Sequence, residues 1–145
     1  MEYKKPESQY NMLDWWKKVV IENYANFEGR ARRSEYWFFA LMNVIIYFTV
    51  VFLSMFLTGS LGAISDSLAG IGMLPMLLII LFGVAMIIPT LEVQVRRLHD
   101  SGKSGWFILL GFVPVVSIVL LVFFFLDSDV GPNEYGPNPK GIGND

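Results

Sequence analysis

Residues that could perform acid–base chemistry are few in this chain, and they stand just before residue 105. His99 and Asp100 are adjacent and have the side-chain types that general acid–base catalysis uses. The chain contains no cysteine and no second histidine. An acid–base pair without a nucleophile or a metal is weak evidence for an active site, so we expect the protein not to be an enzyme.

The tripeptide 102–104, Gly-Lys-Ser, has the residue types that end a phosphate-binding loop. That motif requires a glycine five residues earlier, where this chain has Arg97, and it requires a preceding strand. A transition-metal site is also disfavoured, because only Asp100 and Glu92 stand near His99. We therefore expect no cofactor and no metal, and we expect His99 to cap or hydrogen-bond at a helix end.

Three uncharged segments determine the predicted fold class. Residues 37–58, 71–91 and 106–126 contain no Asp, Glu, Lys, Arg or His. A helix of about 20 apolar residues crosses a hydrocarbon core of about 30 Å. Lipid offers the backbone no hydrogen-bond partner, and these segments lack the alternation of barrel strands. The prediction is an all-α integral membrane protein with three transmembrane helices, forming a single membrane domain over residues 1–145.

The segments outside the predicted spans have three different characters. Residues 10–24 predict an amphipathic helix that lies on the membrane surface or folds onto the same protein. Its apolar residues at helical spacing are Leu13, Trp16 and Val20. Residues 92–105 predict a basic cytoplasmic loop that begins as a helix and stops near Gly102. Residues 127–145, rich in glycine and proline, predict an irregular, flexible tail.

Positive charge is unevenly distributed along the chain. Ten of the eleven Lys and Arg residues precede residue 37 or lie in residues 92–105. The positive-inside rule therefore predicts that the N-terminus and the 92–105 loop are cytoplasmic, and three spans would place the tail outside. A tight hairpin over residues 37–72 would give four spans and reverse the side of the tail, although Ser65, Asp66 and Ser67 argue against it. The net charge of −2 disfavours nucleic acid as a partner.

Three sequence blocks, in this order, resemble one known family. They are residues 27–37 (FEGRARRSEYW), 96–106 (RRLHDSGKSGW) and 131–137 (GPNEYGP). Together they resemble the family catalogued as domain of unknown function 805, over about residues 10–139. The resemblance implies a small, multi-pass integral protein of the bacterial inner membrane, and it supplies no reaction, cofactor or substrate.

The resemblance also draws attention to a set of polar residues in the first two blocks. They are Arg30, Arg33, Glu35, Arg96, Arg97, His99, Asp100 and Lys103. We expect them to form a charge-paired cytoplasmic lattice that holds the first two spans in register. Contacts with anionic lipid phosphates, worth about 1 kcal/mol each, are an alternative use of the cations. Basic clusters that serve only to orient the chain in the membrane would have the same sequence pattern.

The expected function is that of a structural or interaction subunit that contacts membrane lipids. Three helices bury limited protein surface, so a homo-oligomer or a membrane-protein partner is expected. A passive oligomeric pore or carrier for a small solute is the alternative. The polar residues available to line it are Asn43, Thr49, Ser54 and Ser117. Because the spans contain no ionisable group, energised transport is disfavoured.

Overall fold

The computed structural model describes residues 6–65 and 70–144, and within these ranges the regular elements are helices. The α-helices are α1 (Met12–Lys17), α2 (Arg33–Gly62), α3 (Leu74–Asp100) and α4 (Ser117–Phe125). The 3₁₀ helices are Glu7–Gln9, Gly70–Met73 and Gly105–Phe112, and a π-helical stretch, Lys18–Glu22, follows α1. The predicted all-helical class is confirmed.

Two of the helices are long and apolar enough to cross a membrane. Helix α2 has 30 residues and α3 has 27, so at 1.5 Å per residue they measure about 45 and 40 Å. In their most apolar 18-residue windows only 11% and 17% of residues are buried. Such exposure of apolar side chains is consistent with membrane integration. As expected, α3 continues beyond residue 91 and ends where Gly102 adopts a φ of 65°.

The chain divides into two compact units. The polar unit comprises Met1–Phe39 and Ile88–Asp145, and the apolar unit comprises Ala40–Ile87. All eleven Lys and Arg residues belong to the polar unit. In the apolar unit, the rings of Tyr47 and Phe82 meet edge to face with centroids 5.7 Å apart. A Cβ on Gly83 would lie 2.8 Å from the Tyr47 hydroxyl, so the glycine permits this approach of α2 to α3.

The predicted third span, residues 106–126, is not confirmed as a transmembrane helix. The 3₁₀ helix Gly105–Phe112 and helix α4 are separated by a turn at residues 113–116. The rings of Phe107 and Phe123 lie 5.7 Å apart, whereas a continuous helix would separate these residues by about 24 Å. The segment therefore folds back on itself, and we call residues 105–126 the hairpin.

Two residues explain why the hairpin turns. Pro114 has no N–H to continue a helical ladder, and its carbonyl accepts a hydrogen bond from the Ser117 hydroxyl at 2.6 Å. Gly111 allows Leu120 to approach, since a Cβ at residue 111 would lie 3.3 Å from a Leu120 methyl group. The turn is as apolar as the arms, so the count of apolar residues predicted an uninterrupted span.

The hairpin packs within the polar unit against the polar ends of α2 and α3. A buried core of Leu98, Leu120 and Phe124 joins it to α3. Tyr36 on α2 packs against Phe124 with ring centroids 4.6 Å apart. The Trp37 ring lies 4.5 Å from that of Phe125. The hairpin is thus held by aromatic contacts close to where α2 begins.

The N-terminal helix is folded onto the polar unit, which is one of the two expected arrangements. Trp15 and Val19 are buried, at 3% and 0% exposure. The face that packs inward is not the predicted apolar stripe, since Leu13 is 44% exposed and the buried residues each lie one position before Trp16 and Val20. The buried Trp15 packs edge to face against Tyr10, with ring centroids 5.0 Å apart, and the cations of Lys18 and Arg32 lie 5.2 and 5.6 Å from its ring.

Candidate functional site

The first part of the candidate site is a set of ion pairs that we call the Glu35 network. Glu35 lies in the first turn of α2 and is fully buried. It accepts hydrogen bonds from Arg96 on α3 and from Lys18, each at 2.7 Å. Arg96 also donates to Glu92, one turn earlier, at 2.6 and 3.2 Å. The structure therefore brings Glu35 and Arg96 together and joins α2 to α3 through buried charges.

The Glu35 network extends outward to the N-terminal segment. Lys18 donates to Glu7 at 2.6 Å, and Arg32 donates to the other Glu7 oxygen at 2.9 Å. Burial alone would raise the pKa of Glu7, but the hydrogen bonds and charges of Lys18 and Arg32 outweigh it and hold this pKa below its ordinary value. Burial likewise disfavours charged Lys18, yet the carboxylates of Glu35 and Glu7 raise the pKa of its amine. Both groups are charged near neutrality.

The second part of the site, the Asp100 network, is centred on a carboxylate at the C-terminal end of α3. Asp100 is fully buried and accepts hydrogen bonds from Arg30 at 3.1 Å, Arg97 at 2.8 Å and the Ser128 hydroxyl at 2.6 Å. Arg30 and Arg97 have side chains that are 1% and 0% exposed. Two buried cations therefore share one buried carboxylate, and their remaining N–H groups need other acceptors.

Backbone carbonyls supply those acceptors. Arg30 donates to the carbonyl of Gly131 at 2.8 Å and to that of Asp129 at 2.7 Å. Arg97 donates to the carbonyls of Phe124, at 3.3 Å, and Leu126. A guanidinium has five donors in a planar fork, so it can bind one carboxylate and several carbonyls at once, which a lysine cannot. The two arginines thereby attach the C-terminal segment to the end of α3.

These contacts correct two expectations about the tail. The backbone N–H of Asp129 donates to the Asp100 carbonyl at 2.9 Å, so the tail lies beside the basic 92–105 segment and not across a membrane from it. Hydrogen bonds also hold the tail in a defined conformation, where a flexible segment was predicted. Asn138 is 4% exposed and donates to the Asp129 carbonyl at 2.7 Å, and Gly131 donates to the Ile142 carbonyl at 2.9 Å. Amide hydrogen bonds replace the apolar core that its composition lacks.

The other predicted site residues lie at the edge of the networks. Arg33 pairs with Asp127 at 3.0 Å, with side chains 44% and 59% exposed. Lys103 lies 5.9 Å from the centroid of the Phe123 ring, and no ion pair involves it within the described ranges. Of the predicted lattice residues, Arg33 and Lys103 therefore lie outside the buried ion pairs. The buried ion pairs contain Arg30, Glu35, Arg96, Arg97 and Asp100.

His99 and Asp100 are adjacent in sequence but have separate partners. The Nδ1 atom of His99 lies 3.2 Å from the Gly29 carbonyl, and its ring stacks on Tyr135 with centroids 3.8 Å apart. Asp100 faces the two arginines instead. They form no acid–base dyad, and His99 takes the hydrogen-bonding role expected of it.

A cavity of about 520 Å³ opens beside the stacked rings of His99 and Tyr135. Its lining residues are Phe27, Val95, His99, Ser104, Gly105, Trp106, Ile108 and Tyr135.

Several members of the site were missed because they are distant in sequence. Lys18 and Glu7 are single charges in a mixed-charge N-terminal segment, and no spacing pattern connects them to Glu35. The Glu92–Arg96 contact is different, because a carboxylate four residues before an arginine on a helix predicts the pair. Within residues 6–65 and 70–144, no group of three side chains that could hold a metal ion occurs.

Comparison with known proteins places this chain in a family. The sequence model described as "Protein of unknown function (DUF805)" matches residues 24–137. The inner membrane protein YhaI of Escherichia coli (strain K12) is 38% identical over 126 residues, covering 86% of this chain and 95% of YhaI. Inner membrane protein YhaH of the same strain is 36% identical over 129 residues, covering 88% and 98%. No solved structure matches the chain. This chain therefore belongs to the DUF805 family, whose function is unknown.

Proposed function

We propose that this protein is a multi-pass inner-membrane protein with a structural or interaction role, that its polar unit is cytoplasmic, and that it is not an enzyme. The observation that supports the proposal most is that its buried charged side chains pair with one another. Glu35, Arg96, Arg97 and Asp100 are at most 3% exposed, and each binds a partner from another segment of the chain or from another turn. Charges that satisfy one another in this way are suited to fastening segments together rather than to binding a substrate.

The charge distribution supports the cytoplasmic placement of the polar unit, including the N-terminal segment. Every Lys and Arg of the chain belongs to this unit, and residues 40–87 contain none. The positive-inside rule assigns such a cation-rich region to the cytoplasm. Exposed cations such as Lys17 and Arg33 can bind anionic lipid phosphates at about 1 kcal/mol each. Membrane lipids are therefore proposed as partners.

One face of α2 supports self-association. Phe48, Phe52 and Met55 recur at four- and three-residue spacing, which aligns them on one side of the helix. They are 73%, 73% and 70% exposed. Membrane helices associate through close van der Waals packing and not through apolar area as such. We propose that these protruding side chains interdigitate with the same stripe of a second copy.

Cross-linking in native membranes tests the interaction role. The chain has no cysteine, so single substitutions report one position each. Phe52→Cys should give disulfide-linked dimers on mild oxidation. Leu81→Cys, 57% exposed on α3, serves as the control for random collision. Equal cross-linking of both variants would reject the α2 stripe. A monomer that copurifies with no other protein in mild detergent would reject the interaction role altogether. Solute leakage from liposomes would favour the pore instead.

A further inference from the structure

We propose that the hairpin inserts into the cytoplasmic leaflet and returns without crossing it, so that the protein has two transmembrane spans and both chain ends on the cytoplasmic side. The exposed tip of the hairpin contacts the acyl chains of membrane lipids. This inference rests on the proposed cytoplasmic placement of the polar unit, and it goes beyond that placement by fixing the path of the last 40 residues or so.

Both ends of the hairpin are attached to the same polar site. The chain enters the hairpin directly after Asp100 and the turn at Gly102. At the other end, Arg97 binds the carbonyls of Phe124 and Leu126, and Asp129 is hydrogen-bonded to the Asp100 backbone. A third span would separate Asp129 from Asp100 by a hydrocarbon core of about 30 Å, whereas their hydrogen bond is 2.9 Å long.

The arms of the hairpin are too short to cross the membrane. The first arm has eight residues in a 3₁₀ helix, which rises about 2 Å per residue and so measures about 16 Å. Helix α4 has nine residues and measures about 14 Å. Since the hydrocarbon core is about 30 Å thick, each arm reaches about half its depth. The geometry is that of an insertion into one leaflet.

The exposed side chains of the hairpin match the chemistry of one lipid leaflet. Phe112, just before the turn, and Val115, within it, are 82% and 78% exposed, and Ile118 on the returning arm is 62% exposed. At the base, Trp106 is 78% exposed and follows Lys103 closely. An indole and a lysine suit the headgroup region, whereas the large apolar residues of the tip suit acyl chains.

The backbone of the turn can also tolerate lipid. Lipid provides no hydrogen-bond partner, so the polar groups of a turn at that depth must be satisfied within the protein. Pro114 has no N–H, and its carbonyl accepts from the Ser117 hydroxyl. Val113 donates to the Leu110 carbonyl at 3.1 Å, and Ser117 donates to the Val113 carbonyl at 2.8 Å. The turn thereby hydrogen-bonds largely to itself.

Labelling of single cysteines tests the path of the chain, because the protein has no cysteine of its own. A membrane-impermeant maleimide is applied to intact spheroplasts and to inverted membrane vesicles. We expect Ser8→Cys and Glu134→Cys to react only in inverted vesicles, and Ser60→Cys, exposed in the last turn of α2, to react only in spheroplasts. Val115→Cys should resist the impermeant reagent in both preparations and react after detergent is added. Phe112→Cys, a second tip position, should behave as Val115→Cys does.

The outcomes separate this inference from the proposed orientation. If Ser8→Cys reacts from inside but Glu134→Cys from outside, the hairpin crosses the membrane and the inference is wrong, while the orientation stands. If both react from outside, the orientation is wrong but the fold-back remains. Reaction of Val115→Cys with the impermeant reagent in inverted vesicles would show a water-exposed tip. Disulfide dimers through Val115→Cys would show that a second copy covers the tip. Either result would overturn lipid as its partner.

Discussion

The polar and apolar units contain parts of the same two helices, yet they are stabilised in different ways. On α3, Leu81 in the apolar unit is 57% exposed, whereas Leu98 in the polar unit is fully buried. Lipid chains solvate apolar side chains about as well as protein does, so an apolar surface does little to draw two helices together in a membrane. Charges buried at the helix ends, such as Glu35, Arg96 and Asp100, are shielded from water and need partners within the protein. We therefore expect the register of α2 and α3 to depend mainly on the ion pairs of the polar unit.

Removing the central carboxylate should have the largest effect. We expect Glu35→Ala to lower the free energy of unfolding by about 3–5 kcal/mol, because Lys18 and Arg96 would keep buried charges without this partner. The measurement is denaturant unfolding in mild detergent. Glu28→Ala, at an exposed position in the preceding segment, is the control and should change it by less than about 0.5 kcal/mol. Equal stability of both variants would show that the network does not fasten the helices.

The same leucine substitution in the two units should give different results. Leu98→Ala should cost about 2–5 kcal/mol, because it leaves a cavity in the core shared with Leu120 and Phe124. Leu81→Ala should cost much less in lipid bilayers, because acyl chains fill the space. Unfolding of both variants in the same bicelles measures the difference. A similar loss for both would mean that Leu81 is packed against protein, for example against a second copy.

The shape of the guanidinium, beyond its charge, should matter at residue 97. Arg97→Lys keeps the charge near Asp100 but cannot also reach the carbonyls of Phe124 and Leu126. Loss of these charge-assisted hydrogen bonds should cost about 1.5–3 kcal/mol. Limited proteolysis should then release the tail faster than in the unchanged protein. Arg33→Lys, at the exposed pair with Asp127, is the matched control and should leave the cleavage rate unchanged.

A smaller effect is expected where the helices approach in the apolar unit. Gly83→Ala would place a Cβ 2.8 Å from the Tyr47 hydroxyl, so the tyrosine must shift. We expect a loss of about 1 kcal/mol, near the low end for overpacking, since the obstructing atom is the end of a side chain. Gly59→Ala meets nothing within 4 Å and should be neutral or slightly stabilising. A neutral Gly83→Ala would mean that this contact contributes little to helix packing.

The smallest effect should be the pH dependence of the packing of α1 against the rest of the polar unit. The pKa of Glu7 is lowered in the folded protein, so its contribution is complete above the ordinary carboxylate pKa and is lost as the pH falls through the lowered value. The pKa of Lys18 is raised, so its contribution is lost only as the pH rises through that raised value. The fluorescence of a variant in which Trp16, Trp37 and Trp106 are replaced by Phe reports Trp15 alone, and it should stay constant around neutrality and change on acidification. A Glu7→Gln variant that shows the same acid transition would exclude Glu7 as its cause.

Sequence reasoning succeeded where the determining interactions are local. Length and continuous apolarity predicted the two apolar helices, and the Glu92–Arg96 contact is of the local i, i+4 kind that a helix brings about. The exact face of α1 was not predictable, because Trp15 and Trp16 are equally apolar and the contacts of Trp15 with Tyr10, Lys18 and Arg32 form only in the folded chain. Glu7 and Lys18 were missed because each depends on residues at least 11 positions away.

Taken alone, the amino-acid sequence determined that the chain is helical, that it has segments apolar enough for a membrane, and that its cations lie outside these segments. These properties follow from composition and short-range spacing, which need no knowledge of the fold. Only the tertiary structure decided that residues 106–126 turn back and that the tail binds the end of α3. The physical reason is that a hairpin and a span bury the same apolar residues in lipid, so hydrophobicity cannot distinguish them. Hydrogen bonds from Arg30 and Arg97 to distant carbonyls decide between the two.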